Sequence, residues 1–209
     1  MTAPSQQPGY FDALYAANPD PWGFETRDYE HEKYAATLSA LPRKDFASCL
    51  EVGCSIGVLT EKLGSRCDRV LGIDIAEAAL VRARLRCRSQ PGICFERSEL
   101  PICAPDGPFD LIILSEVLYY FDALQIDTIA RQIVAQTTPE TIFALVHWLG
   151  PTPDYPLTGE AATTAFEAAM PELRAVYRRR TPQYRIDVFD ARTDGPAVPH
   201  GQSPAAGMR

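Results

Sequence analysis

The sequence predicts an α/β fold in which a mostly parallel sheet carries helices on both faces. Apolar segments of strand length alternate with amphipathic helical segments, which is the pattern of consecutive βαβ units. A glycine-containing turn joins the first predicted strand to the helix after it. The pattern ends in two strand-like segments with no helix between them, so we expect an antiparallel hairpin at one edge of the sheet.

The predicted elements follow each other in a regular order. Strands are expected at 47–52, 69–73, 93–96, 109–114 and 141–147. Helices are expected at 58–63, 76–88, 122–136 and 159–170. The fourth strand is continuous and apolar, as strands buried on both faces are. The closing hairpin is expected at 173–180 and 184–189, around the turn Thr181-Pro182-Gln183.

The length and composition indicate a single domain. The chain has 209 residues, 46% of them hydrophobic, which is enough for one sizeable core. We assign residues 1–192 to this domain and expect the Gly-, Pro- and Ala-rich segment 193–209 to be disordered. Residues from about 10 to 41 are expected to form a helical lid. In this lid a helix runs over 29–41, with Asp28 as its cap.

The charge and cysteine content exclude several classes of protein. A net charge of −7 argues against a nucleic-acid partner, which needs a concentrated basic face. The six cysteines form no CxxC pair, so we expect reduced thiols and no metal site. The N-terminus lacks the pattern of a signal peptide, and the apolar run 111–114 is too short to span a bilayer. A cytoplasmic protein without stable membrane insertion is expected.

A loop of small residues follows the first strand, in Leu50-Glu51-Val52-Gly53-Cys54-Ser55-Ile56-Gly57. Small residues let the backbone turn sharply and approach a ligand closely. The middle glycine of a dinucleotide-binding loop is absent, because Ser55 lies between Gly53 and Gly57. Glu51 precedes the loop, and its carboxylate suits a cationic ligand better than a pyrophosphate. The loop therefore predicts a nucleotide-like cofactor that carries positive charge.

Two further segments extend this cofactor site. Asp74 ends the second strand, 21 positions after Gly53, near the roughly 20-residue spacing of a ribose-binding carboxylate. The alternative is that Asp74 only caps the next helix. After the third strand, Glu99 can accept the adenine amino group while Leu100 packs on the ring. The alternative is that Glu99 is an exposed loop residue.

Candidate catalytic residues follow the fourth and fifth strands. The fourth strand ends at Ser115, which places Glu116, Tyr119 and Tyr120 at the carboxyl edge of the sheet, where ligands of open α/β sheets bind. The alternative for the two tyrosines is simple packing. His147 follows the fifth strand, and a structural histidine bonded to the backbone is the alternative there.

These motifs together resemble class I S-adenosylmethionine-dependent methyltransferases. The resemblance rests on the glycine loop, on Ile73-Asp74-Ile75, on Phe109-Asp110-Leu-Ile and on the segment from Leu114 to Tyr120. The block from Asn18 to Tyr34, with Trp148 and the segment 154–159, is similar to the rhizobial nodulation protein S family of N-methyltransferases. The resemblance covers about residues 10 to 190.

The resemblance implies a Rossmann-like, seven-stranded methyltransferase sheet with S-adenosyl-L-methionine as cofactor and S-adenosyl-L-homocysteine as its product. It implies that the acceptor is the free amine on the non-reducing glucosamine of a deacetylated chitooligosaccharide, in Nod factor biosynthesis. The expected cofactor-binding residues are Trp22, Arg27, Tyr29, Lys33, Glu51, Gly53, Cys54, Gly57, Asp74, Ile75, Glu99, Leu100 and Ser115. The expected catalytic residues are Glu116, Tyr119, Tyr120 and His147.

Three alternatives remain open at this stage: a methyltransferase for another acceptor, a nicotinamide-dependent oxidoreductase, and a cofactor-binding regulator without catalysis. The missing middle glycine and the antiparallel hairpin argue against the oxidoreductase. Within the lid, either Arg27 or Lys33 is expected to meet the carboxylate of the cofactor. No feature of the sequence indicates an oligomeric state.

Overall fold

A computed structural model describes residues 9–102 and 105–192 and shows a seven-stranded sheet with the order β3-β2-β1-β4-β5-β7-β6. The strands are β1 Phe46–Val52, β2 Cys67–Asp74, β3 Ile93–Arg97, β4 Phe109–Ser115, β5 Thr137–Trp148, β6 Arg174–Arg180 and β7 Tyr184–Asp190. The first five strands are parallel, and β7 is antiparallel to both of its neighbours. The prediction of a mostly parallel sheet with a C-terminal antiparallel hairpin is confirmed.

Helices lie on both faces of this sheet. The described residues contain α1 Tyr10–Ala17, α2 Asp28–Ala40, α3 Val58–Leu63, α4 Glu77–Arg86, a 3-10 turn at Leu118–Tyr120, α5 Ala123–Val134 and α6 Gly159–Ala169. The prediction that Asp28 caps α2 is wrong. Arg27 is the capping residue and Asp28 is the first residue of the helix, where its carboxylate interacts favourably with the helix dipole.

The central strand β4 is continuously apolar because both of its faces are buried. Leu111, Ile112, Ile113 and Leu114 are all fully buried, because alternate side chains enter the cores on the two sides of the sheet. Leu111 and Ile113 contribute to one core, and Ile112 and Leu114 to the other. A strand with two buried faces has no polar alternation, as expected for a parallel sheet covered by helices.

The strand register brings the ends of three strands together. Val52, at the end of β1, pairs with Ile73 of β2 on one side and with Leu114 of β4 on the other. The residues that follow these three positions therefore meet at one edge of the sheet. This edge carries the glycine loop after β1, Asp74 at the end of β2, and Ser115 and Glu116 at the end of β4.

The expectations for the C-terminal segment, the cysteines, membrane spans and metal sites are taken together. The segment 193–209 and Cys103 lie outside the described residues. The described cysteines are all free thiols, three of them buried and Cys94 exposed. Within residues 9–102 and 105–192, no helix is both long and apolar enough to cross a membrane. The same ranges hold no cluster of three or more His, Cys, Asp or Glu side chains suited to a metal ion.

We expect Gly57→Ala to destabilise the fold more than Gly9→Ala does, because both place a side chain on strained left-handed backbone, at a cost of about 1–3 kcal/mol, and only Gly57 is also crowded by α4. Gly57 precedes α3 with a φ of 77°, and an added Cβ would lie 3.0 Å from both Cα and Cβ of Ala83 in α4. The matched control is Gly9→Ala, with a φ of 74° and nothing within 4 Å of the added Cβ. Urea denaturation measures both losses, and an equal loss in the control would contradict the role of crowding against α4.

Candidate active site

A cleft of about 460 Å³ opens at the edge of the sheet where β1, β2 and β4 end. The glycine loop and the ends of the three strands form one side. Residues of α1, of the segment 18–27 and of α2 form the opposite side. The volume lies in the range of sites that enclose small molecules, roughly 300–1,000 Å³.

The glycine loop is held against β2 by its backbone. The N–H groups of Gly53 and Cys54 both donate to the carbonyl of Ile73, at 2.8 and 3.0 Å. Ser55 adopts the left-handed conformation, with a φ of 51°, at the position where dinucleotide-binding loops carry glycine. Its hydroxyl is hydrogen-bonded to the hydroxyl of Tyr15 in α1. A side chain at this position thus connects the loop to the N-terminal helix.

The Asp74 carboxylate braces the loop from the end of β2. One oxygen accepts the N–H of Ser55 and the other accepts the N–H of Ala76, both at 2.9 Å. The capping residue of α4 is Ala76, so Asp74 does not occupy the cap position of that helix. Burial raises the pKa of Asp74, against the effect of these backbone donors. A carboxylate accepts about four hydrogen bonds, so Asp74 retains acceptor capacity towards the cleft.

Glu51 is almost completely buried beneath the loop, with 3% of its surface exposed. The hydroxyl of Thr60 donates to its Oε2 at 2.5 Å. Burial raises the pKa of Glu51 to about 8, and the negative charge of Asp74 acts in the same direction. Glu51 lines the cleft, and a cationic group bound beside it would favour its ionised form.

A buried cluster of charges joins α2 to the end of β4. The ammonium of Lys33 lies 2.6 Å from Oε1 of Glu116 and 2.9 Å from Oε2 of Glu30. Oε2 of Glu116 accepts the hydroxyl of Tyr119 at 2.8 Å and the N–H of Trp148 at 2.9 Å. Glu116 has a φ of 55°. Left-handed backbone at a non-glycine residue is maintained only where surrounding contacts enforce it, and such residues concentrate at functional sites.

These contacts set the ionisation of the cluster. Burial opposes the charge on Glu116, but Lys33 and the N–H of Trp148 outweigh it and lower the pKa of Glu116. Burial likewise opposes the charge on Lys33, and the two carboxylates outweigh it and raise the pKa of Lys33. Burial raises the pKa of Glu30, and the attraction of Lys33 reduces this effect.

Aromatic rings form a second wall of the cleft. The rings of Tyr119 and Tyr155 are stacked with their centroids 5.2 Å apart and an interplanar angle of 12°. Tyr120 meets Tyr155 at 4.6 Å and Phe11 of α1 at 4.9 Å, both edge to face. Trp148 also lines the cleft. Flat apolar rings beside carboxylates suit a ligand that has both apolar faces and polar edges.

Ion pairs hold the segment between α1 and α2 against α4. Glu25 lies 3.3 Å from Arg82 and also pairs with Arg86. Asp20 accepts the N–H groups of Phe24 and Glu25 at 2.8 and 3.0 Å, which fixes the local turn. Trp22 packs against Phe24 and Tyr15 at centroid distances of 5.5 and 5.7 Å. The predicted lid region therefore has a defined position over the glycine loop.

Most residues predicted for the site line this one cleft. They are Trp22, Arg27, Tyr29, Lys33, Glu51, Gly53, Cys54, Asp74, Ile75, Leu100, Ser115, Glu116, Tyr119 and Tyr120. Arg27 forms no ion pair with any described residue, whereas Lys33 is buried between two carboxylates. Of the two predicted partners for a ligand carboxylate, the structure thus leaves Arg27 available.

Three predicted residues lie elsewhere. Gly57 packs against α4, and Glu99 is exposed outside the cleft, as the alternative interpretation of Glu99 expected. His147 is fully buried and does not line the cleft. Its Nδ1 is 3.3 Å from the hydroxyl of Thr163, which itself donates to a backbone carbonyl. Burial lowers the pKa of His147 to about 4, so it is a neutral structural histidine near pH 7.

Sequence reasoning missed several residues that line the cleft, above all Phe11, Tyr15 and Tyr34. Phe11 and Tyr15 are four positions apart in α1, so they lie on one face of that helix. This spacing is a signal that the sequence carries. Trp148 and Tyr155 are aromatic residues that could serve, by residue type, as platforms for an oligosaccharide, and both line the cleft.

The strand order, the antiparallel β7 and a ligand-sized cleft at the glycine loop define the fold of class I S-adenosylmethionine-dependent methyltransferases. Within this class, the chain belongs to the nodulation protein S family. The family model described as "Nodulation protein S (NodS)" matches residues 13–146.

Known relatives support this assignment. The chain is 35% identical over 123 residues to nodulation protein S of Bradyrhizobium diazoefficiens, covering 58% of this chain and 59% of the relative. It is 33% identical over 122 residues to the protein of Sinorhizobium fredii, covering 57% of this chain and 56% of that relative. The matched segment thus spans less than two thirds of these relatives.

Solved structures match over more of the chain. The N-methyltransferase NodS of Bradyrhizobium japonicum WM9, in complex with S-adenosyl-L-homocysteine, superposes with a TM-score of 0.75 at 26% identity. This match covers 85% of the present chain and 96% of that structure. A putative methyltransferase from Pseudomonas syringae superposes with a TM-score of 0.70 at 29% identity, covering 78% and 99% of the two chains.

We expect Glu51→Gln to reduce the pH dependence of stability. The folded-state pKa of Glu51 is about 8 against an ordinary value of 4.5, so between these values the unfolded chain releases a proton that the folded chain keeps. Stability therefore falls as the pH rises through this window, by up to about 1.4 kcal/mol per pH unit from this residue. Urea denaturation from pH 5 to about 8 should show a smaller fall in the variant.

The control for this measurement is Glu32→Gln, which changes an exposed residue of α2. It should leave the pH dependence of the wild-type protein in place. Equal slopes for wild type and Glu51→Gln would contradict the raised pKa of Glu51.

Proposed function

We propose that this protein is a cytoplasmic S-adenosylmethionine-dependent N-methyltransferase in Nod factor biosynthesis. The proposed acceptor is the free amine on the non-reducing glucosamine of a deacetylated chitooligosaccharide. The observation that carries the proposal is the convergence of Glu51, Asp74 and Glu116 on one cleft at the ends of three adjacent strands. Membership of the nodulation protein S family and the likeness to a structure holding S-adenosyl-L-homocysteine support it.

The residues of the cleft fit the proposed cofactor chemically. Asp74 has acceptor capacity left for ribose hydroxyls, and the buried Glu51 suits an ammonium group. Arg27 is available for the carboxylate of the methionine portion. Ile75 and Leu100 offer apolar surface for a purine ring. Carboxylates beside the glycine loop are unsuited to the pyrophosphate of a nicotinamide cofactor, which argues against the oxidoreductase alternative.

When bound, S-adenosylmethionine supplies a methyl carbon on a positively charged sulfur that leaves as a neutral thioether. The protein has to hold the acceptor amine in line with that carbon and exclude water. The N-terminal segment covers the cleft and serves the exclusion of water. Glu116 lies at the end of β4 between the glycine loop and the aromatic wall, where it can accept an N–H hydrogen bond from the amine.

The pKa shifts of Glu116 and Tyr119 favour a role in positioning the amine over a role as a strong base. The pKa of Glu116 is lowered, which makes its carboxylate a weak base. Burial, with the charge of Glu116, raises the pKa of Tyr119, whose hydroxyl already donates to Glu116. A sugar amine titrates near neutrality, so it can bind without its extra proton and release the second proton after transfer.

The aromatic wall supports an oligosaccharide acceptor. Pyranose rings have apolar faces and hydroxyl edges, and they pack well on flat aromatic side chains. Tyr155 projects from the loop after β5 and stacks on Tyr119, adjacent to Glu116. The amine of a terminal sugar can thus reach Glu116 while its ring contacts the tyrosines.

We expect Asp74→Ala to weaken binding of S-adenosyl-L-homocysteine by roughly 5- to 150-fold, which corresponds to ~1–3 kcal/mol for lost hydrogen bonds to a buried charged group. Isothermal titration calorimetry measures this change. Asp127→Ala, which removes a surface partner of Arg131 in α5, is the matched control and should bind normally. Unchanged affinity in Asp74→Ala would count against the ribose assignment.

Transfer of a labelled methyl group tests the acceptor. We expect label on a chitooligosaccharide with a free terminal amine and none on its fully acetylated counterpart, because an amide nitrogen lacks an available lone pair. Glu116→Gln should lower turnover more than it lowers cofactor affinity. Label on other amines but not on the oligosaccharide would identify another acceptor, and cofactor binding without transfer to any amine would favour the regulator. Binding of NAD in place of S-adenosyl-L-homocysteine would refute the proposal.

A further inference from the structure

The Glu116 carboxylate has one vacancy for a hydrogen-bond donor. A carboxylate offers about four acceptor positions on its two oxygens. Lys33 occupies one on Oε1, while Tyr119 and the N–H of Trp148 occupy both on Oε2. The remaining position is on Oε1, and 12% of the side chain is exposed, in a residue that lines the cleft. Glu116 is therefore fixed in orientation and can accept one more donor from the cleft.

Lys33 is the main cation that holds this carboxylate ionised, and His147 makes a smaller contribution. The titratable groups that face Glu116 come from α2, the 3-10 turn and β5, and they are Tyr29, Glu30, Lys33, Tyr34, Tyr119, Tyr120 and His147. His147 is neutral near pH 7, and the tyrosines are neutral donors or apolar neighbours. Glu30 carries the same charge as Glu116. Among the described residues Lys33 is thus the one cationic side chain in contact with Glu116.

The position of Lys33 separates it from the cofactor. Its side chain is 2% exposed, and its ammonium lies between Glu30 and Glu116 and 5.0 Å from the centroid of the Tyr29 ring. The ammonium donates to Glu30 Oε1 at 3.1 Å and to Glu116 Oε1 at 2.6 Å, and Glu30 Oε2 lies 2.9 Å away. A ligand carboxylate would therefore add a third negative charge beside an ammonium that already lies between two buried carboxylates. Tyr29 supplies a further sign of a ligand, because its hydroxyl is buried without a partner among the described residues.

We propose that Lys33 is a positioning residue for the acceptor: it holds Glu116 as a carboxylate with one position open to the cleft, and that position receives an N–H of the amine. The proposal rests on the function proposed above. When one N–H of the amine is hydrogen-bonded to a fixed oxygen, the amine can no longer rotate freely. The lone pair on its nitrogen then keeps a defined direction. Lys33 acts on the acceptor only through Glu116, and the cofactor carboxylate is left to Arg27.

The test is Lys33→Met, which keeps an unbranched side chain of similar size and removes its charge. Without Lys33, burial favours protonated Glu116, which is a weaker acceptor for the N–H and can turn its own O–H towards the lone pair of the amine, so activity at neutral pH should fall by about 10- to 100-fold. It should return at higher pH, with the acidic limb of the kcat/KM profile shifted upward by at least about one pH unit. Binding of S-adenosyl-L-homocysteine should stay within about threefold of wild type.

Two further variants serve as controls. Lys33→Arg retains the charge and should keep the wild-type limb, while Lys44→Met removes an exposed lysine and should change neither limb nor affinity. If Lys33→Met fails to fold, the double variant Glu30→Gln/Lys33→Met keeps the net charge of the cluster and should show the same upward shift. An unshifted limb together with a tenfold loss of S-adenosyl-L-homocysteine affinity would overturn the proposal and make Lys33 a cofactor ligand.

A second readout does not depend on turnover. ¹³C NMR of the glutamate carboxyl groups, with Glu116→Gln for assignment, follows the titration of Glu116 directly. In the wild type this signal should titrate below the ordinary value of 4.5, and in Lys33→Met it should move upward. An unchanged titration would overturn the control of Glu116 by Lys33. If the wild-type protein methylates no oligosaccharide, the acceptor proposal fails, and the NMR titration still decides what Lys33 does to Glu116.

Discussion

The parallel register of β1 with β2 and β4 is the constraint on which the rest of the structure depends. Because Val52 pairs with both Ile73 and Leu114, the three strands end at the same level. Parallel strands all point their carboxyl ends the same way, so the residues after them are brought together although they are far apart in sequence. A shift of one strand would separate Asp74 or Glu116 from the glycine loop.

The cleft that results concentrates negative charge in a poorly solvated place. Glu51, Asp74, Glu30 and Glu116 all line it, against Lys33 and Arg27. Burial makes this arrangement costly unless the carboxylates are protonated, paired or hydrogen-bonded. The chain uses all three means: a raised pKa at Glu51, backbone donors at Asp74, and an ion pair at Glu116. A ligand that carries positive charge relieves the remaining imbalance.

The N-terminal segment forms one wall of this site, and contacts with residues distant in the sequence hold it in place. Tyr15 reaches Ser55 in the glycine loop, Glu25 reaches two arginines of α4, and Lys33 reaches Glu116 at the end of β4. Each contact joins residues at least 40 positions apart. The sequence pattern indicates the helix α2 but not these pairs, because helical periodicity reports only which side of a helix is apolar.

The sequence by itself determined the order of the strands and helices, the parallel sheet and the composition of the strand ends. These properties follow from local periodicity and from short motifs, both of which depend only on residues close together in the sequence. Glu51, Asp74 and Glu116 could be named in this way because each follows a recognisable strand. Only the tertiary structure decided what each side chain touches: it took His147 into the core, exposed Glu99, turned Gly57 towards α4 and buried Lys33 between two carboxylates. The physical reason is that burial and ion pairing depend on distances in space between residues that the sequence leaves far apart.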